Sequence, residues 1–188
     1  MSKKTPMDDL SRIRLKVKDD PRYKKIRKLF KHEDLFQLPL AEYSREVDDL
    51  FAMRKVRSIS INSPDALNKL AESIVQDQSY RSRMTEILAI ISNSHKTLED
   101  LLSRFQDYIT VSYGNDLKAV GAAKERERAV KNIMAEYYRY CDNLSTLISK
   151  IDLYVKDIDK AGYAFKSLVD TLGIINQREF GLPNMNRK

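Results

Sequence analysis

Lysine and arginine are concentrated at the start of this 188-residue chain, where they could bind a polyanion. Residues 1–31 contain 12 Lys/Arg and 4 Asp, which gives this segment a net charge of +8. The whole chain has 34 Lys/Arg and 27 Asp/Glu, so the remainder holds 22 basic and 23 acidic residues and has a net charge of −1. Such an asymmetric charge distribution is typical of a segment that contacts a polyanion.

The basic side chains are interleaved with aromatic ones, a combination that suits single-stranded nucleic acid. Lysine and arginine neutralise phosphates and release counterions, which gives sequence-independent, salt-sensitive binding. Tyr23 and Phe30 lie among them, and aromatic rings can stack on unpaired bases. The same amphipathic pattern could also lie on an anionic membrane, or could simply keep the chain in solution. The predicted nucleic-acid-binding residues are Arg12, Arg14, Lys16, Lys18, Arg22, Tyr23, Lys24, Lys25, Arg27, Lys28 and Lys31.

Residues that would support catalysis or metal binding are sparse in the sequence. His32 and His95 are the only histidines, and Cys141 has no second cysteine with which to share a metal ion. We interpret His95 as an ordinary residue at the margin of a helix-packing seam and Cys141 as a small packing residue. The sequence contains no Gly-rich phosphate loop, nucleophile elbow or nucleotide fingerprint. We therefore expect no enzyme, no metal site and no cofactor.

Composition favours long helices as the elements that hold these residues. Hydrophobic residues make up 42% of the chain and charged residues 32%, whereas only 5 Gly and 5 Pro are present, too few for the turns of an all-β chain. Residues 1–37 are predicted to be a basic, partly flexible N-terminal arm, weakly ordered over residues 1–20 and with one short helix that begins at Pro21. Residues 38–178 are predicted to be a helical domain, with residues 179–188 as a tail. Its predicted helices lie at about 40–57, 64–112 and 123–172.

Local signals indicate where the two long helices begin and end. Ser63 can accept a hydrogen bond from an orphan backbone N–H, and Pro64 suits the first turn of a helix. Gly173 directly follows the last apolar position of the second long helix, where a left-handed cap is expected. The residues at 112–115 interrupt the pattern between the two helices. The apolar stripe also shifts at 77–79, which predicts a kink or break there.

Apolar residues recur at alternating steps of three and four on both predicted long helices. One run extends from Tyr80 to Tyr108, and the other extends from Val130 to Leu172. Sustained heptad spacing indicates coiled-coil-like packing. If the two helices are antiparallel and Phe105 faces Val130, the other apolar positions of the two runs also face each other in pairs. We therefore predict an all-α fold: a long antiparallel helical hairpin with smaller N-terminal helices and a basic N-terminal arm.

A second apolar stripe lies beside this seam and widens the face that must be covered. A two-helix hairpin alone would leave such a face exposed to solvent. The predicted helix at 40–57 could cover it, or a second copy of the chain could do so and form a homo-oligomer. The members of the stripe include Ile74, Leu88, Leu102, Ile109, Met134, Cys141, Ile148, Val155 and Val169.

The last predicted helix contains a Gly-aromatic-Ala-x-Lys core at residues 162–166. This core resembles that of the C-terminal helix of the UvsY recombination mediators of T-even-like phages, over a small part of the chain. The resemblance implies a helical, ring-forming oligomer that binds single-stranded DNA. It also implies that the protein loads a recombinase onto DNA coated with single-stranded-DNA-binding protein. No DNA-contacting residue of that family aligns here, so no functional residue is transferred.

These patterns predict a non-enzymatic, nucleic-acid-associated oligomeric accessory protein, with single-stranded-DNA-binding recombination mediation as its most specific form. Its expected partners are single-stranded DNA, further copies of the chain, and a recombinase or single-stranded-DNA-binding protein. The alternative is a structural or scaffolding coiled-coil protein whose basic arm docks an acidic protein or an anionic membrane surface. The first ten residues are polar, no apolar signal region follows, and no apolar run approaches the roughly 20 residues of a spanning helix. We therefore expect a cytoplasmic protein, in the host cytoplasm if the chain is viral.

Overall fold

A computed structural model describes residues 9–54 and 66–179 of the chain. Within these ranges the protein contains helices and turns and no strands. The packing of the longest helix against the last one confirms the prediction of an all-α fold with a helical hairpin. In chain order the elements are α1 (Asp9–Asp19), α2 (Pro21–His32), a 3-10 turn (Asp34–Phe36), α3 (Leu40–Met53), α4 (Ala66–Ser112), α5 (Gly114–Lys118), α6 (Ala123–Ile133) and α7 (Ala135–Glu179).

The start of α3 and the end of α4 agree with the predictions, whereas α3 ends at Met53 and not at the predicted residue 57. Helix α3 begins at Leu40 as predicted, and α4 ends at Ser112, where the sequence pattern is interrupted. Helix α4 is continuous through residues 77–79, so the chain does not break there. The predicted helix start at Ser63 lies outside the described residues, as do residues 1–8 and 180–188.

Part of the N-terminal arm is more ordered than predicted. The sequence analysis expected residues 1–20 to be weakly ordered, whereas Asp9–Asp19 forms helix α1. Ile13 and Val17 lie one turn apart on α1 and are 3% and 0% exposed. Burial of these two side chains stabilises a helix whose own hydropathy is low, because tertiary packing supplies most helix stability.

The helix predicted at 123–172 also differs from the structure at two places. Helices α6 and α7 separate at Met134, whose backbone N–H is shared between the carbonyls of Val130 and Lys131. Helix α7 then continues through Gly173 to Glu179, so Gly173 is not a left-handed cap. Glycine inside a helix costs only about 1 kcal/mol relative to alanine, and the burial of Leu172 offsets this cost.

The described residues form two compact units. The first contains the chain up to Leu40 together with Ile90–Ile148, and the second contains Ala41–Ala89 together with the chain from Ser149 onward. Helix α4 contributes one segment to each unit, and so does α7.

In the first unit, α4 and α7 run antiparallel and the N-terminal helices pack on them. His95 of α4 lies beside Cys141 of α7, whereas Gln106, farther along α4, accepts a hydrogen bond from the earlier residue Tyr138 at 2.7 Å. Ser94 donates to the carbonyl of Leu35, so the segment after α2 contacts the hairpin directly. Both apolar stripes are therefore covered within the chain here, and their buried members include Ile91, Leu98, Leu102, Phe105, Ile109, Val130, Met134, Tyr137, Cys141 and Leu144.

In the second unit, α3 covers the seam. The ring of Phe51 stacks on that of Tyr154, with centroids 3.9 Å apart, and Lys150 pairs with Asp48 at 2.6 Å. Val47 of α3 is fully buried. Helix α3 therefore packs on the seam of this unit. Of the second apolar stripe, Ile74, Leu88 and Val155 are half-buried and Val169 is 37% exposed, so the covering of that stripe by α3 stays a prediction here. The buried seam residues of this unit are Leu70, Met84, Ile87, Ile151, Ile158 and Leu172.

Arg54 connects the end of α3 to both long helices of the second unit. Its Nε lies 3.2 Å from Asp77 of α4, and its Nη1 contacts Asp157 of α7. The side chains of Arg54 and Asp77 are only 13% and 10% exposed. Removing the guanidinium would leave the Asp77 carboxylate buried without its cation, which is more costly than losing a solvent-exposed ion pair.

We expect Arg54→Ala to lower the free energy of unfolding by about 3 kcal/mol, because it leaves a buried carboxylate unpaired. Urea denaturation followed by circular dichroism measures this loss. Arg83→Ala is the matched control, because Arg83 pairs with Glu46 of the same helix α3 but its side chain is 45% exposed. Equal losses in the two variants would contradict the assignment of Arg54 as the anchor of α3.

Candidate nucleic-acid interface

Helix α2 presents a basic face to solvent because its apolar residues face inward. The helix contains six Lys/Arg and no acidic residue. Tyr23 and Ile26 are 3% and 5% exposed, and Phe30 is half-buried. These three positions lie on one side of the helix, since residues three and four apart share a face. All six basic residues are exposed, namely Arg22, Lys24, Lys25, Arg27, Lys28 and Lys31.

Helix α1 follows the same pattern with four further cations. Ile13 and Val17 are buried, and the helix contacts both α2 and α6. Leu15 is 53% exposed and lies among the charges. The exposed basic residues of α1 are Arg12, Arg14, Lys16 and Lys18.

Some of these cations already have partners within the protein. Lys16 pairs with Asp116 at 2.8 Å, and Lys24 pairs with Asp19 at 3.2 Å. Arg12 lies 3.9 Å from Asp9. Such exposed pairs are weak and compete poorly with a polyanion.

Arg22 has a different kind of partner, because its guanidinium lies 4.0 Å from the centroid of the Tyr108 ring. The remaining six cations make no ion pair within the described residues, and we call them the open basic surface. They are Arg14, Lys18, Lys25, Arg27, Lys28 and Lys31.

A buried carboxylate positions both basic helices. Asp20 lies between α1 and α2, and its side chain caps α2 by accepting the N–H of Arg22 at 2.7 Å. The same carboxylate accepts the hydroxyl of Tyr108 at 2.9 Å and that of Tyr113 at 2.7 Å. Asp20 is 7% exposed. One side chain therefore joins the start of α2 to the C-terminal end of α4.

The hydrogen bonds to Asp20 determine its charge state. Burial by itself raises the pKa of the Asp20 carboxyl, but the hydrogen bonds from Tyr113, the Arg22 N–H and Tyr108 together hold that pKa below its ordinary value of 3.8. Burial, and then the contact with Asp20, raises the pKa of Tyr113 to about 12. At neutral pH the Asp20 carboxylate is therefore charged and the Tyr113 hydroxyl is protonated, so this hydrogen bond is made.

Tyr23 does not occupy the role that the sequence predicted. Its ring lies 6.0 Å from that of Phe105 and 6.1 Å from that of Tyr137, in the core of the first unit. Phe30 contacts the same core, with its centroid 4.9 Å from that of Tyr137 and 5.2 Å from that of Tyr140. Tyr23 is therefore not available to stack on bases. Its ring anchors α2, and the ten predicted basic residues are all exposed.

Asp20, Tyr108 and Tyr113 were missed by the sequence analysis. The Asp-Pro pair at 20–21 is a signal for a capped helix start, and it could have identified Asp20 as the N-cap residue. No sequence signal brings the two tyrosines, roughly ninety positions later, to the same carboxylate. Their proximity depends on the docking of α1 and α2 against the hairpin.

Comparisons of the chain with protein families, curated proteins and solved structures found no match. None of the described helices combines the length and the apolar character needed to cross a lipid bilayer.

We expect Asp20→Asn to lower the free energy of unfolding by about 1–2 kcal/mol at neutral pH, because the charged acceptor of three hydrogen bonds is lost. The folded-state pKa of Asp20 lies below 3.8, so its stabilisation is present above that pH and is lost as the pH falls through the lowered value. Urea denaturation at neutral and at acidic pH measures this contribution. The free energy of unfolding of Asp20→Asn should fall less on acidification than that of the unmodified protein.

Asp19→Asn is the matched control for this prediction. The Asp19 side chain is 83% exposed and its ion-pair partner is the exposed Lys24. Hydrogen exchange of the α1 and α2 amides should accelerate in Asp20→Asn and stay unchanged in Asp19→Asn. Equal behaviour of the two variants would show that Asp20 does not attach the basic helices to the hairpin.

Proposed function

We propose that the protein is a non-enzymatic nucleic-acid-binding accessory protein whose open basic surface binds the phosphates of single-stranded DNA. The observation that carries this proposal is the set of six exposed Lys/Arg side chains that have no ion pair within the described residues. Four of them lie on α2, a helix without any acidic residue. These like charges repel one another because no ion pair within the described part of the chain neutralises them. A bound polyanion would neutralise them and relieve the repulsion.

The geometry of α2 suits contacts to successive phosphates. Lys25 and Lys28 are three residues apart, as are Lys28 and Lys31, so neighbouring ammonium groups emerge from points roughly 5–6 Å apart on the helix surface. The helix is anchored by the burial of Tyr23, so these side chains are presented without the cost of ordering a flexible segment.

Because the Tyr23 ring is buried and cannot stack on bases, the proposed binding depends on the cations alone. We expect little preference among bases and a strong dependence on salt concentration, because phosphate contacts carry no sequence information. Six contacts to a single strand would give a slope of about −4 in a plot of log affinity against log salt concentration.

The preference for single-stranded DNA and the most specific form of the proposal depend on the resemblance of residues 162–166 to the UvsY core. In that form the protein is an oligomeric recombination mediator, with a recombinase and a single-stranded-DNA-binding protein as partners. The basic helices hold the DNA, and copies of the helical body associate. Exposed apolar side chains late in α7, among them Tyr163 at 77% and Ile174 at 53%, support self-association.

The packing of α2 bears on the alternative in which the basic arm lies on a membrane. Interfacial helices insert their apolar face between lipids. The apolar face of α2 is buried instead against the hairpin, through Tyr23 and Ile26. This arrangement favours a polyanion in solution over a bilayer as the ligand of the basic face.

We expect the double variant Lys25→Gln/Lys28→Gln to bind a fluorescent single-stranded oligonucleotide roughly tenfold more weakly at about 0.1 M salt, because two phosphate contacts are lost. The salt slope should become less steep by about 1.4. Fluorescence anisotropy across a salt series measures both quantities. Duplex DNA and RNA of the same length, measured in parallel, identify the preferred polyanion.

The matched control is Lys156→Gln/Lys160→Gln, which removes the same charge from two exposed positions of α7. Its affinity and salt slope should equal those of the unmodified protein. The proposal fails if the unmodified protein does not bind the oligonucleotide, or if both double variants weaken binding equally. Displacement of the oligonucleotide by an acidic protein or by anionic vesicles, if it is weakened by Lys25→Gln/Lys28→Gln, would instead support the scaffolding alternative.

Self-association is tested separately by light scattering. For a chain of 21.9 kDa we expect a molar mass of several subunits, both alone and with oligonucleotide. A mass of one subunit in both conditions would rule out the ring-forming mediator while leaving phosphate binding by α1 and α2 intact.

A further inference from the structure

The hairpin brings together in the first unit three side chains of types that can ligate a metal ion. His95 and Glu99 lie one turn apart on α4, with His95 Nδ1 3.4 Å from Glu99 Oε2. Cys141 lies across from them on α7, and the donor atoms of all three residues lie within 4.8 Å of one another. In the sequence His95 and Cys141 are 46 positions apart and have the pattern of packing residues, and only the pairing of the two helices makes them neighbours.

We propose that His95, Glu99 and Cys141 form a zinc-binding site with a fourth coordination position open to water. Zinc accepts imidazole nitrogen, thiolate sulfur and carboxylate oxygen, and sites with three protein ligands leave one position for water. The thiolate and imidazole select against magnesium and calcium, which prefer oxygen ligands.

The spacing of the three donors fits one zinc ion after small movements. Tetrahedral zinc–ligand bonds of about 2.0–2.3 Å place donor atoms roughly 3.3–3.8 Å apart. The His95 and Glu99 donors are already 3.4 Å apart, and all three donors lie within 4.8 Å of one another. The Glu99 side chain is 59% exposed and can rotate, whereas His95 is 19% exposed and lies on a continuous stretch of α4. The ion can therefore reach the site from solvent past Glu99.

The thiol of Cys141 must lose its proton to bind the ion. Burial, and then the negative charges of Glu99 and Asp142, raises the pKa of Cys141 to about 11. Before an ion binds, the residue is therefore a neutral thiol at neutral pH. Binding forms a bond between zinc and the Cys141 sulfur, breaks the S–H bond and releases one proton to solvent. The charge of the ion compensates the carboxylate and the thiolate together.

A bound ion would join α4 to α7 by direct bonds to both helices. His95 and Glu99 come from one helix and Cys141 from the other, so the unfolded chain offers no preformed site. Because zinc binds the folded state preferentially, it should stabilise the protein in a concentration-dependent way.

The test uses the full chain, stripped of metal with a chelator and titrated with Co²⁺ as a spectroscopic substitute for Zn²⁺. We expect a thiolate-to-cobalt charge-transfer absorption band that disappears when Zn²⁺ displaces the cobalt. Zn²⁺ should also raise the Tm by a few degrees. Cys141→Ala should abolish the band, and His95→Gln should weaken cobalt binding more than about tenfold, since even outer-shell changes cost 10–100-fold.

His32→Gln is the matched control, because His32 is the other histidine and lies exposed at the end of α2. Its cobalt spectrum should equal that of the unmodified protein. Absence of a charge-transfer band in the unmodified chain would overturn the proposal whatever the variants do. A band that survives His95→Gln with unchanged affinity, in a variant whose circular dichroism shows intact helices, would also overturn it.

Discussion

The carboxylate of Asp20 accepts three hydrogen bonds, one from the start of α2 and two from tyrosines at the C-terminal end of α4, and this convergence determines how the basic helices are presented. A buried charge is costly unless it is well hydrogen-bonded, so Asp20 is stable only where Tyr108, Tyr113 and the start of α2 meet. The contact places α2 in one orientation on the end of α4. In that orientation its apolar face is buried and its cations face solvent.

Aromatic packing provides the apolar part of the same docking. Tyr23 and Phe30 of α2 meet Phe105 and Tyr137 of the hairpin, and Phe30 stacks on Phe36 with centroids 5.8 Å apart. Six cations on one twelve-residue helix repel one another, and an isolated helix of this length is marginal in water. Burial of large rings offsets both costs. The fold can therefore keep a densely charged surface without neutralising it by internal ion pairs.

The hairpin was predictable because its signal is repeated many times. The alternating steps of three and four recur over many turns, and the buried residues of α4 and α7 follow them closely. The errors lie where a local signal competes with packing. Gly173 has a helical conformation because α7 continues to Glu179, and Asp9–Asp19 is helical because Ile13 and Val17 find a surface to pack on.

The sequence predicts which residues give the candidate site its charge, but not which side chains of the basic helices are buried in the core. Counting lysines and arginines identified the ten exposed basic residues, because charged side chains remain at the surface in almost any fold. Tyr23 was assigned to the ligand because a single sequence does not show whether a ring on an amphipathic helix faces a partner or the protein's own core. That choice depended on whether the hairpin offers α2 an apolar surface, and Phe105 and Tyr137 provide it.

The sequence by itself determined the helical character of the chain, the hairpin seam and the location of its positive charge, since each is a property of local composition and periodicity. Only the tertiary structure decided which cations keep a free charge, that Asp20 joins two basic helices to two distant tyrosines, and that Cys141 lies beside His95 and Glu99. These contacts join residues tens of positions apart in the chain. Their distances depend on how the helices dock, which no local pattern of residues specifies.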